Sequence, residues 1–145
     1  MAKLLRNSSR PVVSVQEKTT VEDAVRTMVE HRIGAVIVLK GNEMAGIFSE
    51  RDVLDKIVLA RRDPATTPVL AVMTSPVVTA PGNAEDAEAA EKMTEHHIRH
   101  LPILDEERRV VGMVSLRHVM EERIADLEHE VNALEAYLGY GGLSG

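Results

Sequence analysis

The chain repeats itself, and that repeat constrains its fold more than any single motif does. Setting Pro11 against Pro76 aligns Val12 with Val77, Val13 with Val78, Ala24 with Ala89, Met28 with Met93, Glu30 with Glu95, His31 with His96, Ile33 with Ile98 and Leu39 with Leu104, all at one offset. One inserted residue later, Gly46 meets Gly112, Ser49 meets Ser115, Arg51 meets Arg117 and Val53 meets Val119. The matches fall in order on apolar and turn positions, as a duplicated supersecondary unit requires.

Each copy reads as β-α-β-β-α. A short β-branched strand (12–15; 77–80) precedes a helix (21–31; 85–97), then a strongly apolar strand, AVIVL at 35–39 and HLPIL at 100–104. After a polar turn come a second strand (45–48; 110–114) and a helix opening at Ser49 or Ser115. Serine is a good N-cap, and Asp52 in the first turn suits the helix dipole. The expected fold class is therefore α+β, two such units plus a C-terminal helix. The expected division is a lead-in over 1–10, a first unit over 11–62, a linker and lead-in over 63–75, a second unit over 76–122, and a helix with a frayed tail over 123–145. Neither copy alone carries enough apolar sequence for a core, so the two are expected to fold as one body.

Composition excludes several functions. With no Trp, one Phe and two Tyr, base stacking on aromatic rings has almost nothing to work with. A net charge of −6 and a pI near 5.5 oppose binding to a nucleic-acid backbone, while a local basic cluster can still attract a small anion. The absence of cysteine removes disulfides, thiolate metal sites and cysteine nucleophiles, and fits a reducing, cytoplasmic location. MAKLLRNSSR is too short in apolar residues for a signal peptide, and no run approaches the roughly 20 apolar residues of a membrane span. No nucleic-acid or membrane partner is expected.

The segments GIFSERDV at 46–53 and GMVSLRHV at 112–119, each behind a β-α-β unit, resemble the tandem CBS motif, or Bateman module, of the stand-alone bacterial type. The likeness covers about residues 11–119. It implies two repeats packed about a pseudo-two-fold axis, with two clefts that take AMP, ADP, ATP, NAD(H) or S-adenosyl compounds and require no cofactor. It further implies a regulatory, energy-sensing homodimer that signals ligand occupancy to a separate, unknown target protein.

Carried onto this sequence, the resemblance gives one cleft Ser49, Arg51 and Asp52, with Met73, Val78 and Ile98 against the adenine. One carboxylate can accept from both hydroxyls of a ribose, so Asp52 is the expected ribose residue, with Ser49 and Arg51 toward phosphate. The other cleft is given Arg99, His100, Ser115, Arg117 and His118, facing Ser8, Val13, Ile33 and Gly34. His118 stands where the pattern has an acid, and a neutral imidazole accepts at only one nitrogen. The expectation is one adenosine-selective cleft and one weighted toward anions.

Two other chemistries fit poorly. His96, His97 and His100 beside Glu95 suggest a metal, but the strand around Pro102 breaks the helix that would align them. No nucleophile elbow surrounds Ser49 or Ser115, and Asp52 and His118 are equivalent positions of two repeats rather than partners, so no enzyme is expected. Finally, Met120, Ile124, Leu127, Val131, Leu134 and Leu138 recur at coiled-coil a/d spacing. The expectation is a helix lying against a partner module; the alternative function is a dimerisation scaffold with vestigial clefts that acts through this helix.

Overall fold

The computed structural model describes residues 10–139. Ser8 and the tail at 140–145 lie outside the described residues. Strand β1 (Ser14–Gln16), helix α1 (Val21–His31), β2 (Ala35–Lys40), β3 (Glu43–Ser49) and α2 (Glu50–Asp52), continued by a π-helical segment (Val53–Val58), form the first unit. The second has β4 (Ala80–Pro81), α3 (Asp86–Glu95), β5 (His100–Leu104), β6 (Val110–Ser115) and the long α4 (Leu116–Tyr137). A 3-10 turn (Val69–Ala71) lies in the connection. Both sheets are three-stranded, with the middle strand parallel to the first and antiparallel to the last.

The duplication is visible in detail. The hairpins slip register at Val38/Leu39 and at Ile103/Leu104, equivalent places in the two copies. The inserted residue falls in the second turn, where Leu104 pairs with Val110 while Leu39 pairs with Met44. Each core is filled from matching positions: Ala24, Met28, Val36, Val38 and Phe48 in one, Ala89, Met93, Leu101, Ile103 and Val114 in the other. Burying one of the Val, Leu, Ile, Met or Phe side chains among them contributes about 1.5–3 kcal/mol. Thr20, Ser49 and Ser115 cap α1, α2 and α4 by accepting from the amides of Asp23, Asp52 and His118.

The strand expected at 77–80 forms only as Ala80–Pro81. The reason lies in β5. In the first sheet the Ile37 amide donates to the Val13 carbonyl at 3.0 Å; the equivalent residue in the second is Pro102, which has no N–H to give to Val78. Helix α3 also runs shorter than expected. It stops at Glu95, and His97 takes a left-handed φ of 54° matching that of Arg32 behind α1.

The units are joined by exchanged lead-ins. Arg10 pairs with Met113 on β6 through bonds of 3.0 and 3.2 Å, and Thr74 pairs with Ile47 on β3 through bonds of 2.8 and 3.0 Å. The second contact needs Gly46, because a Cβ there would lie 2.7 Å from the Met73 sulfur and 2.9 Å from the Thr74 carbonyl oxygen. Gly46→Ala is therefore expected to lower the unfolding free energy by about 1–3 kcal/mol, the usual range for overpacking, measured by urea titration; an unchanged midpoint contradicts the close approach.

Candidate functional site

A cleft of about 780 Å³ opens between the two units. One wall is the first lead-in and the α1–β2 junction: Arg10, Pro11, Val13, Arg32, Ile33, Gly34 and Ala35, with Glu50 at the start of α2. The facing wall is Arg99 and His100 entering β5, Met113 and Ser115 on β6, and Leu116, Arg117, His118, Met120 and Glu121 on α4. Two equivalent bonds hold the walls: the Glu50 amide donates to the Gly34 carbonyl at 3.0 Å, and the Leu116 amide to the Arg99 carbonyl at 2.8 Å. Each fastens a helix start to the head of a central strand.

The structure thus brings together Val13, Ile33, Gly34, Arg99, His100, Ser115, Arg117 and His118, all assigned to one cleft from sequence. It adds Arg10, Arg32, Glu50, Met113, Met120 and Glu121. Four arginines face two glutamates here, in a chain whose overall charge is −6. Arg117 is exposed and pairs with Glu121 at 3.1 Å, a surface pair of small net stability. The cleft also receives the N-terminus of α4, where the Leu116 amide is taken by the Arg99 carbonyl and the His118 amide by the Ser115 hydroxyl.

The walls also come close at Gly34. A Cβ on it would lie 3.1 and 3.2 Å from Cε1 and Nε2 of His100 and 3.3 Å from Oε1 of Glu50. Burial pushes the His100 pKa below the usual imidazole range; the Glu50 carboxylate opposes that shift and Arg99 adds to it. His100 therefore stands neutral at pH 7, able to donate from one nitrogen and accept at the other.

The second sequence-assigned set is arranged differently. Asp52 is 4% exposed, and both its oxygens are engaged. Oδ2 accepts from the Ser49 amide at 3.0 Å and the Ser49 hydroxyl at 3.3 Å. Oδ1 accepts from the Thr74 hydroxyl and the Lys56 ammonium, each at 2.9 Å. In this structure Asp52 closes a capping box and ties the second lead-in to the first unit. Met73 packs on the first core, while Val78 and Ile98 pack on the second. Arg51 reaches across to the His97 carbonyl at 3.5 Å. At the equivalent place in the second unit, Ser115 accepts from the His118 amide. Among the described residues, no group of three or more His, Cys, Asp or Glu is placed to hold a metal ion, and no helix is long and apolar enough to cross a membrane.

A family model of the CBS domain matches residues 5–59 and 69–125. The chain is 35% identical over 127 residues to a mitochondrial CBS domain-containing protein of Arabidopsis thaliana, an alignment covering 84% of this chain and 61% of that one. Among solved structures, a putative signal-transduction protein with CBS domains from Burkholderia ambifaria superposes with a TM-score of 0.80 at 33% identity, over 87% of this chain and 96% of that one. A CBS domain protein from Pyrobaculum aerophilum, complexed with AMP, superposes with a TM-score of 0.76 at 28% identity, over 87% of this chain and 97% of that one.

The His100 environment sets a pH dependence. As pH falls through about 6.5 the unfolded imidazole gains a proton before the folded one does, so stability falls toward acid. His100→Asn should flatten the melting temperature against pH between 7 and 5 relative to the parent; an unchanged acid slope contradicts the buried neutral imidazole.

Proposed function

The chain belongs to the CBS domain family, and on that premise we propose that it is a regulatory module that binds an adenine nucleotide in the arginine-lined cleft and signals its occupancy to a separate target. The observation that carries this reading is the cleft itself, in which both repeats meet around four arginines. Its 780 Å³ lies within the roughly 300–1,000 Å³ of small-molecule sites. Arg99 and Arg117 suit a phosphate group. Val13, Ile33 and Met113 offer an apolar face for the base. The AMP complex of the Pyrobaculum relative supports this class of ligand.

This weighting differs from the sequence expectation, which placed adenosine selection at Asp52. With that carboxylate committed to Ser49, Thr74 and Lys56, ribose binding by Ser49, Arg51 and Asp52 exchanges existing bonds for new ones. We assign that cleft, with Met73, Val78 and Ile98, as the weaker site. The module works by binding rather than turnover: a nucleotide touching both units favours whichever arrangement of the two it fits better. Apolar side chains exposed on the helical face, Leu54 and Val58 with their repeat equivalents Met120 and Ile124, support a homodimer through that face.

Calorimetric titration with AMP, ADP, ATP, NADH and S-adenosylmethionine tests the proposal. At least one is expected to bind at micromolar Kd and raise the melting temperature. Arg99→Ala or Arg117→Ala should weaken it roughly 10- to 150-fold, since a hydrogen bond to a charged group contributes about 1.5–3 kcal/mol. No binding of any of the five at millimolar concentration sinks the reading.

A further inference from the structure

Helix α4 continues well past the module. Val119 is its last buried residue, and Met120, Ile124, Leu127, Val131, Leu134 and Leu138 are each 45–58% exposed. They form one stripe about 27 Å long at 1.5 Å per residue, with Ile124, Val131 and Leu138 at a and Met120, Leu127 and Leu134 at d.

The flanking positions say what fits on it. The e row is Glu121, Glu128 and Glu135; the g row is Arg123, Glu130 and Tyr137. Glu121 already has Arg117 on its own helix, but Glu128 and Glu135 have no ion-pair partner among the described residues. The α4 helix of a second copy is a poor occupant. Antiparallel pairing sets the e row of glutamates against itself. Parallel pairing sets Arg123 against Glu128 but Glu130 against Glu135, so gain and repulsion cancel.

We infer that the projecting half of α4 is a docking face for an amphipathic helix of another protein, one whose apolar stripe is flanked by Lys or Arg. The stripe supplies burial, and the glutamate row selects basic flanks and rejects acidic ones. The docking face is the part of the stripe from Leu127 to Leu138, beyond Met120 and Glu121 at the nucleotide cleft and beyond Met120 and Ile124, which the homodimer face takes.

The test uses the full chain and two synthetic three-heptad helical peptides with identical leucine stripes, one with Lys and one with Glu at e and g. Fluorescence anisotropy should show the Lys peptide binding at micromolar Kd, at least tenfold tighter than the Glu peptide. Leu134→Asp adds negative charge at an exposed site, so a tenfold loss there reports the stripe rather than bulk electrostatics. Glu128→Lys with Glu135→Lys should reverse the order of the peptides, and sedimentation should show the same oligomeric state for Leu134→Asp as for the parent. Equal or absent binding of both peptides overturns the inference. So does conversion of a parental dimer to monomers by Leu134→Asp, which makes the second copy the occupant.

Discussion

The exchange of lead-ins holds the molecule together. Outer strands β3 and β6 each present an edge, and an open edge invites wrong pairing. Here each edge takes a residue from the other unit's lead-in, Thr74 on Ile47 and Arg10 on Met113. The same bonds that cover the edges fix the two sheets relative to one another and bring Arg10 to the cleft wall. Gly46 is the steric condition for one of them. The site and the fold thus share their constraints.

Duplication gave two similar backbones, and side-chain differences made them unequal. Asp52 and His118 occupy the same turn after the same serine cap, but only the carboxylate can accept from the cap amide and from Thr74 and Lys56 as well. Gly34 and Ala35 in one unit correspond to Arg99 and His100 in the other, so the central strands bring glycine to one side of the cleft and a guanidinium with an imidazole to the other. Pro102 shortens β4 by removing one donor. Each difference is one or two residues deep, and together they give a basic cleft on one side and a carboxylate-tied junction on the other.

Much of this was legible in the sequence because periodicity and repetition are local signals. Helix 21–31 and the strands opening at 35, 100 and 110 follow from apolar spacing and turn residues, and eight residues that the family resemblance gave to one cleft line a single cleft. Arg10, Arg32 and Glu50 were not found. Arg10 lines the cleft only because its segment pairs with a strand from the far end of the chain, and Arg32 only because it ends α1 in a left-handed turn. The engagement of Asp52 was hidden for a similar reason: Thr74, its partner, lies in a connection with no periodic signature.

The lead-in exchange also orders the events of synthesis. The Ile47–Thr74 pair joins residues close in sequence and can form as soon as the connection has emerged from the ribosome. The Arg10–Met113 pair joins the first lead-in to β6, so that lead-in must wait until most of the second unit has been made. Until then Arg10 has no strand to pair with, whereas the first unit already carries the cover of its own edge, Thr74 on Ile47.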